Sequence, residues 1–254
     1  MELPREYISY NQIRLYQDCP RRFYYHYIKE IKVPINEKTY VGVIFHKTIE
    51  EYFKRKIEGK VLSNENVKDL FSVFFDNEIR NSEVIWLTSI EKNKKRGFAF
   101  VNFFMKNIAS NVSPLMVEKE ISIYSPELDV KIMGIIDLIE KDFSITDFKT
   151  TTSKWSKSRV DKSYLQMMIY SYIIEKDLGF SPKELKFEIL YSGKSNNIKH
   201  QRTVVVPTIV DENKMLSILK YIVNGIKSGN FYKNPSYLCN ICEYRDICRK
   251  DKYL

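Results

Sequence analysis

Gly134–Lys149, GIIDLIEKDFSITDFK, has the pattern of two β-strands joined by a short polar turn at 140–142. Side chains two residues apart on a strand share a face, so Asp147 and Lys149 project side by side. Asp137 ends the preceding strand and reaches the same place across the hairpin. Two acids and a lysine within apolar strands cost desolvation energy unless a cation or a polar partner offsets it. The stretch is therefore a candidate metal site.

The composition favours an anionic polymer as partner. The chain has 254 residues, 44% of them hydrophobic, which is enough for one large core. Its net charge is +9 and it contains 18 Tyr and 15 Phe. Basic side chains neutralise phosphates and aromatic rings stack on bases, although a solvated basic surface accounts for the charge equally well. The chain shows no membrane-length apolar run and no signal-peptide pattern, so we expect a cytoplasmic (intracellular) protein with no membrane partner.

The hydrophobic pattern predicts one mixed sheet between helices. Apolar residues at helical spacing, with caps such as Ser9 and Gln12 in an S-x-x-Q capping box, mark the helices. Helices are predicted at 9–28 (interrupted at Cys19-Pro20), 41–57, 66–80, 90–110, 161–178 and 211–228. Strands are predicted at 115–123, 131–139, 143–152, 185–191 and 201–206, with polar connections at 29–39 and 193–197. This order predicts an α/β fold, and the absence of a flexible linker predicts a single domain over 1–254.

The acids of the hairpin suit the chemistry of phosphodiester hydrolysis. Water is a poor nucleophile and the transition state accumulates negative charge, and a divalent metal answers both problems. The hard carboxylate oxygens of Asp137 and Asp147 suit Mg²⁺ or Mn²⁺. Lys149 is placed to position water or to stabilise developing charge. Taken alone, the D-x-K pattern is also what a salt bridge at a strand end looks like.

The four cysteines form a second constellation. Cys239-x₂-Cys242 is followed by five residues and Cys248, while Cys19 lies near the opposite end of the chain. Four thiolates suit a tetrahedral zinc ion or an iron–sulfur cluster, and either would join the two ends of the chain. Disulfides are the alternative, disfavoured by the expected intracellular location. The spacing does not decide between zinc and a cluster, although it differs from the paired C-x₂-C motifs of many zinc sites.

Together these residues resemble the PD-(D/E)XK nuclease superfamily. They are most similar to the RecB-like branch with a four-cysteine iron–sulfur cluster, which includes the AddB nuclease domain and the CRISPR-associated adaptation nuclease. The resemblance covers nearly the whole chain, with the motifs in the family's order. The matching motifs are the Cys-Pro helix at Cys19, G-x-x-x-H from Gly42 to His46, G-x-x-D from Gly134 to Asp137, D-x-K from Asp147 to Lys149, Q-x-x-x-Y from Gln166 to Tyr170, and C-x₂-C-x₅-C from Cys239 to Cys248.

The resemblance implies a restriction-endonuclease-like core, a central mixed β-sheet flanked by helices, with the terminal segments joined by a metal cluster. It implies that segments 1–40 and 230–254 together form the cluster subdomain. The implied metal ligands are His46, Asp137, Asp147 and the backbone carbonyl of Phe148. The implied catalytic residues are Asp137, Asp147, Lys149, Gln166 and Tyr170. The implied ligands of a structural [4Fe-4S] cluster, favoured over zinc, are Cys19, Cys239, Cys242 and Cys248. Many relatives carry Glu where this chain has Asp147.

Several residues have a structural interpretation as well as a functional one. His46 alone would fit a core histidine, and Gln166 and Tyr170 alone would be ordinary helix residues. We expect Glu50 to be a surface or hydrogen-bonding residue, and neither Glu118 nor Glu120 to be a ligand. Trp86 and Trp155 are expected to pack rather than stack on bases, Trp155 being the better stacking candidate. The run Lys92–Arg96 is expected to be a solvated helix start rather than a phosphate contact.

We therefore expect a divalent-metal-dependent phosphodiester hydrolase, a DNA exonuclease or endonuclease acting on single strands or DNA ends. Recombination and repair, CRISPR adaptation and phage DNA metabolism are all compatible roles. The chain contains no G-x-x-x-x-G-K-[ST] motif, so a helicase would be a separate partner protein, as would an integrase. The alternatives are a catalytically silent DNA-end binding or scaffold subunit that retains the fold and cluster, and a zinc-stapled RNA or DNA binder.

Overall fold

The computed structural model describes residues 2–193, 197–206 and 208–251. Within these residues, eight strands belong to two sheets, a six-stranded mixed sheet and a two-stranded parallel pair of β2 with β3. In chain order the strands are β1 (Tyr7–Ser9), β2 (Ile35–Asn36), β3 (Val84–Ile85), β4 (Pro114–Ser125), β5 (Val130–Glu140), β6 (Ile145–Thr151), β7 (Leu185–Tyr191) and β8 (Lys199–Val205). The helices are α1 (Tyr10–Asp18), α2 (Pro20–Phe23), α3 (Glu37–Ile57), α4 (Asn64–Glu78), α5 (Ile90–Asn107), α6 (Lys157–Leu178), α7 (Ile209–Lys227) and α8 (Arg245–Lys250).

The middle of β5 is left open on one edge of the strand. Antiparallel β4 pairs with β5 along nearly its whole length, from Val130 to Glu140. The opposite edge is shared: β1 pairs in parallel with 131–133, and β6 pairs antiparallel only with Leu138 and Ile139. Residues 134–137 therefore lie between two strands that diverge from β5. Beyond β6, parallel β7 and antiparallel β8 complete the sheet.

The sheet separates two apolar cores. One core lies between the sheet and helices α1, α6 and α7, and contains Ile136, Ile173 and Phe187. The other lies between the sheet and helices α3, α4 and α5, and contains Phe45, Phe104 and Leu190, among others. Burial of this much apolar surface on both faces is what holds a mixed sheet with helical layers together. The predicted mixed sheet flanked by helices is thus confirmed.

The helix ends follow local capping chemistry. The capping box between Ser9 and Gln12 is present as predicted, and Pro20 at the start of α2 breaks the helical run as predicted. Helix α3 begins at Glu37, four residues earlier than predicted, because the Asn36 side chain accepts hydrogen bonds from two backbone N–H groups of its first turn. Strands β1 to β3 were not predicted, because two or three residues are too few to show an alternating pattern. Residues 194–196 of the predicted turn at 193–197 lie outside the described residues.

The N-terminal helices pack against the C-terminal segment. Arg22 on α2 forms an ion pair with Glu243 at 2.8 Å, and the Tyr16 hydroxyl donates a 2.7 Å hydrogen bond to the Asn230 carbonyl. The Tyr244 side chain is fully buried and its hydroxyl donates to the Ile31 carbonyl. These contacts join residues more than 200 positions apart. No helix in the described part of the chain is both long enough and apolar enough to cross a membrane.

Candidate active site

Asp147 and Lys149 form an ion pair on β6 between a buried carboxylate and a partly exposed lysine. Lys149 Nζ lies 2.6 Å from Asp147 Oδ2, and the Asp147 side chain is only 1% exposed. The two residues face the α6 layer, because their parallel neighbours on β7 are Phe187 and Ile189, which belong to that core. The intervening Phe148 faces the opposite core and packs on Phe104 and Phe53. Alternation along β6 thus fixes which side each functional group occupies.

Asp137 is held at the point where β5 and β6 separate. Its Oδ2 accepts a 2.8 Å hydrogen bond from the Phe148 backbone N–H and lies 3.4 Å from Nδ1 of His46. His46 comes from α3 on the other face of the sheet and also hydrogen-bonds to the backbone of Phe148. The Phe148 peptide groups therefore connect the acid and the histidine. The predicted convergence of Asp137, Asp147, Lys149 and His46 is what the structure shows.

Two glycines allow the flanking helices to approach the site. A Cβ on Gly42 would lie 3.0 Å from Thr150 Oγ1 on β6, so this glycine lets α3 bring His46 close to the sheet. A Cβ on Gly134 would lie 2.7 Å from Ile173 Cδ1 and 3.1 Å from Tyr170 Cε1. The first distance is shorter than real Cβ contacts, so the Ile173 side chain would have to move, and the Tyr170 ring would have to give by a few tenths of an ångström, if Gly134 carried a side chain.

Gln166 and Tyr170 connect α6 to the carboxylates. Gln166 Nε2 donates at 2.8 Å to Asp147 Oδ1 and lies 2.8 Å from the Tyr170 hydroxyl. Both side chains are buried, and burial raises the pKa of Tyr170 well above its usual value. They are one helical turn apart, which aligns them on one face of α6. Gln166 therefore orients Asp147, and Tyr170 fixes the orientation of Gln166.

Glu118 is a site residue that the sequence analysis set aside. Its carboxylate, His46 and Asp137 each offer a ligand atom, and these atoms all lie within 4.8 Å of one another. The register explains the encounter: Val117 pairs with Leu138 and Lys119 pairs with Ile136, so Glu118 lies opposite Asp137. Its backbone has a positive φ of 45°, a local irregularity in β4. The sequence analysis expected Glu118 not to be a ligand, and its place opposite Asp137 becomes visible only with the register of β4 on β5.

Burial and neighbouring charges shift the pKa values of the ionisable groups at the site. Burial raises the pKa of Asp147 to about 6 and also raises that of Asp137. Burial, and then the negative charge of Asp137, raises the pKa of Glu118 to about 7. Burial, and then the cation of Lys149, lowers the pKa of His46 to about 4. Burial opposes the charge on Lys149, but Asp147 and Asp137 more than offset it, so the pKa of Lys149 is raised. These carboxylates are costly to ionise and lie beside a neutral imidazole, so a bound cation would strongly stabilise their charged form.

The donor set fits a divalent metal ion. One imidazole nitrogen and two carboxylate oxygens within 4.8 Å of one another match the mixed nitrogen and oxygen ligands of a divalent metal site. Asp147 Oδ2 pairs with the Lys149 ammonium and Oδ1 accepts a hydrogen bond from Gln166. Both oxygens of Asp147 therefore contact these neighbours rather than the cluster of His46, Glu118 and Asp137. His46 and Asp137 of the predicted ligand set are therefore brought together, with Glu118 as the third member, while Asp147 stands beside them.

The site opens into a cleft of about 1170 Å³ between α1, α6 and α7. Asp137, Asp147 and Lys149 lie on one wall, and basic residues from the helices line the rest together with a few acids. The basic residues of this wide cleft besides Lys149 are Arg14, Arg159, Lys162 and Lys214. A second groove, of about 400 Å³, lies on the α3 side of the sheet and is lined by His46, Lys149 and Thr150, among others. Lys149 thus borders both spaces.

The remaining candidates are mostly structural, as expected. Glu50 forms an ion pair with Lys54 at 2.5 Å, and Glu120 is exposed. Trp86 packs on Tyr40. Trp155 is 5% exposed and packs on Phe187, while Arg159 lies over its ring at 4.6 Å.

The basic run from Lys92 to Arg96 behaves in two ways. Lys94 forms an ion pair with Asp76 at 2.6 Å, and Lys95 forms one with Glu91 at 2.7 Å. Arg96 instead lines the second groove of about 400 Å³, called the narrow groove from here on. The sequence analysis did not anticipate this position.

The cysteines lie where the two ends of the chain meet. Cys19 lies between α1 and α2, and the other three lie in the segment that packs on these helices. Cys19 contributes to raising the pKa of Cys242, after burial, which places the two thiols within electrostatic reach. In the described part of the chain, no three cysteine sulfurs lie within 4.8 Å of one another. Sulfurs around one zinc ion would lie about 3.8 Å apart at a Zn–S distance of about 2.3 Å. The thiols are thus dispersed, and their arrangement does not by itself mark a metal site.

The fold and the site define a class of protein, a nuclease of the kind that places two acids and a lysine on diverging strands of a mixed sheet. Comparison with protein families agrees with this definition. The model of the PD-(D/E)XK nuclease superfamily matches residues 7–249, so the chain belongs to this superfamily. No curated protein matches the chain.

Two of the solved structures that match this chain have 14% sequence identity to it. One, titled "Putative exonuclease" and from Eubacterium rectale, has a TM-score of 0.63 and 14% sequence identity, over 98% of this chain and 89% of that one. The other, SSO0001, is 14% identical over 86% of both chains, with a TM-score of 0.38 that carries no weight here. At this identity the first similarity speaks for the fold alone.

Proposed function

We propose that this protein is a divalent-metal-dependent DNA nuclease, a phosphodiester hydrolase that acts on single strands or on DNA ends, most simply as an exonuclease. The observation that carries the proposal is the convergence of Asp137, Glu118 and His46 beside the Asp147–Lys149 pair, at the edge of a wide cleft lined by both basic and acidic residues. Membership of the nuclease superfamily supports the same reaction. The basic residues that line the cleft, which lie among acids, support contact with a polyanionic substrate, because Lys and Arg side chains neutralise phosphates.

The residues divide the chemistry among them. His46, Glu118 and Asp137 would hold Mg²⁺ or Mn²⁺, with Asp147 and the Phe148 carbonyl beside them. A bound ion supplies two things, a lowered pKa for water and neutralisation of charge on the phosphate. Lys149 is cationic at neutral pH because its neighbours raise its pKa, so it stabilises anionic charge rather than accepting a proton. Gln166, fixed by Tyr170, holds Asp147 in position.

We also propose that the chain belongs to the RecB-like branch and that Cys19, Cys239, Cys242 and Cys248 bind a [4Fe-4S] cluster. In such a cluster each cysteine binds a different iron, so the sulfurs lie farther apart than around one zinc ion. The packing of α2 on the segment that carries Glu243 supports this, since it brings both cysteine-bearing segments to one place. Segments 1–40 and 230–254 would then form the cluster subdomain. The biological role would lie in recombination and repair, CRISPR adaptation or phage DNA metabolism, with a helicase or an integrase as partner.

A nuclease assay tests the proposal directly. Single-stranded DNA labelled at the 5′ or the 3′ end is incubated with the protein and Mn²⁺, which reports activity and direction together. The Asp147→Asn variant keeps the volume and the contact with Gln166 but loses the charge, and we expect at least a thousandfold loss of rate, the cost of losing a principal electrostatic group. Asp142→Asn, the same change in a surface turn, should leave the rate unchanged. Equal activity in Asp147→Asn and the parent would refute catalysis at this site.

The alternative is a catalytically silent subunit that binds DNA ends. It predicts that the parent binds labelled DNA tightly and leaves it intact with both Mg²⁺ and Mn²⁺. The Asp147–Lys149 pair favours the enzyme, because an ion pair with a buried carboxylate seldom adds net stability and an inactive scaffold would have no need of it.

A further inference from the structure

The narrow groove on the α3 side of the sheet differs in charge from the wide cleft. Its basic lining residues are Lys38, Arg96, Lys149 and Arg159, and among the described residues that line it there is no Asp or Glu. The wide cleft mixes cations with acids such as Asp161 and Asp211. Lys149 is paired with Asp147, but Lys38, Arg96 and Arg159 form no ion pair in the described part of the chain. Three such cations around about 400 Å³ attract an anion of the size of one or two nucleotide units.

Arg96 is the member of this set that the fold directs into the groove. Its neighbours on α5, Lys94 and Lys95, each form an ion pair. Arg96 makes no such pair within the described part of the chain, and its nearest counter-charge, Glu37, already accepts hydrogen bonds from the Thr88 backbone and from Asn93. Partial burial lowers the pKa of Arg96, so its charge would be better satisfied by a ligand than by its present surroundings.

The groove and the cleft meet at the catalytic lysine. Lys149 and Arg159 line both spaces. Arg159 is held at this junction because its guanidinium lies 4.6 Å from the centre of the Trp155 ring, whose position is fixed by packing on Phe187. Its Nη1 lies 3.4 Å from Thr151 Oγ1. A polynucleotide that leaves the wide cleft past Lys149 therefore enters the narrow groove.

We propose that the narrow groove is a phosphate subsite for a single nucleic-acid strand, in which Arg96 neutralises a phosphate on the far side of the bond to be cleaved. The inference rests on the proposed nuclease function, since it assigns the direction in which the substrate continues beyond the site. It makes the substrate class a single strand, because 400 Å³ behind the sheet has no room for a duplex. Lys38, at the start of α3, is the second cation along the same path.

The salt dependence of binding tests this subsite. A fluorescein-labelled oligothymidylate is titrated with the full chain in EDTA, which prevents cleavage, and anisotropy gives the affinity at several salt concentrations. Each phosphate neutralised on a single strand contributes about 0.7 to the slope of log K against log salt. We expect Arg96→Ala to reduce the slope by about 0.7 and Arg96→Lys to restore it. Lys95→Ala, the same loss of charge one residue away, should leave the slope unchanged.

The controls keep this inference separable from the nuclease assignment. Thermal unfolding confirms that each variant is folded, and Arg96→Gln, which retains most of the side chain, replaces Arg96→Ala if that variant unfolds. If Arg96→Ala reduces the slope but the parent does not cleave DNA, the phosphate subsite is supported and the proposed hydrolase activity is refuted. An unchanged slope in Arg96→Ala, with normal cleavage by the parent, would overturn the groove alone. A parent that fails to bind the oligothymidylate would also overturn it.

Discussion

The backbone N–H of Phe148 donates a 2.8 Å hydrogen bond to Asp137 Oδ2 at the place where β5 and β6 stop pairing with each other. The bond uses a strand N–H that has lost its ladder partner on β5, so the divergence of the strands creates the acid's anchor. It also points the Asp137 carboxylate towards His46 and Glu118. The site is therefore a consequence of the open edge of β5 rather than of any one motif.

Glu118 is predicted to be a metal ligand, so its replacement should weaken metal binding. Even a residue that contacts a ligand indirectly typically costs about 10- to 100-fold in affinity when removed, and we expect Glu118→Gln to lose at least that much. Calorimetric titration with Mn²⁺ measures the change. Glu120→Gln, an exposed acid on the same strand, is the matched control. Equal affinities of Glu118→Gln and the parent would remove Glu118 from the ligand set.

The ion pair between Asp147 and Lys149 should matter far more to stability than the one on the surface. Lys149→Gln leaves a buried carboxylate without its cation, and we expect a loss of about 3 kcal/mol in the free energy of unfolding. Lys183→Gln breaks the exposed pair with Asp142 and should cost less than about 1 kcal/mol. Urea denaturation of the metal-free variants compares the two. Similar losses in the two variants would mean that water screens the Asp147–Lys149 pair as fully as it screens the surface pair.

The metal-free protein should become less stable as pH rises through the weakly acidic range because of Glu118. The pKa of Glu118 is raised to about 7 in the folded state, above its unfolded value, so the folded state binds more protons between these two pKa values. Stability therefore falls as pH rises from about 4.3 towards 7. Glu118→Gln should remove a loss of the order of 1–2 kcal/mol, a figure reduced for the partial exposure of this side chain.

Unfolding midpoints in EDTA, followed from pH 4 to pH 8, measure the effect of Glu118. The neutral imidazole of His46, with a pKa lowered to about 4, contributes in the opposite direction, because stability is lost as pH falls below about 6.5. The difference between the parent and Glu118→Gln cancels the His46 contribution. If this difference does not change with pH, the pKa of Glu118 is not raised in the folded state.

Gly134→Ala should damage both stability and catalysis. The new methyl would lie 2.7 Å from Ile173 Cδ1 and 3.1 Å from Tyr170 Cε1, so it pushes on two side chains of α6, one of which positions Gln166. Overpacking of this kind costs about 1–3 kcal/mol, and a shift of Tyr170 would displace Gln166 from Asp147. Gly97→Ala is the control, because its methyl would clash with Phe71, away from the site. At a temperature where both variants are folded, we expect kcat to fall only in Gly134→Ala.

The proposed [4Fe-4S] cluster should be detectable in the visible absorption spectrum. Protein purified without oxygen should be brown and contain iron and acid-labile sulfide, because thiolate-to-iron charge transfer absorbs visible light. Cys19→Ala should lose the colour and lower the midpoint of thermal unfolding, since the clip between the two ends of the chain is broken. A colourless parent that contains zinc would refute the iron–sulfur assignment and leave the proposed nuclease site untouched.

The local elements could be predicted from the sequence because their causes are local. Alternating apolar residues specify β6, the Ser9–Gln12 capping box starts α1, and Pro20 ends the first helical run. The motif residues at the site could be named for the same reason, since D-x-K on a strand places Asp147 and Lys149 on one face whatever lies around them. Short strand β1 escaped prediction because three residues carry no period.

Glu118 and Arg96 show what the tertiary structure alone decided. Glu118 joins the site through the register of β4 on β5, and Arg96 enters the groove through the packing of α5 on α3. Neither relation is visible in a window of neighbouring residues. The order of the residues set which groups each strand and helix presents, because that depends on backbone periodicity. Which groups meet across the sheet was set by the pairing of distant segments, because burial of two apolar cores fixes those distances.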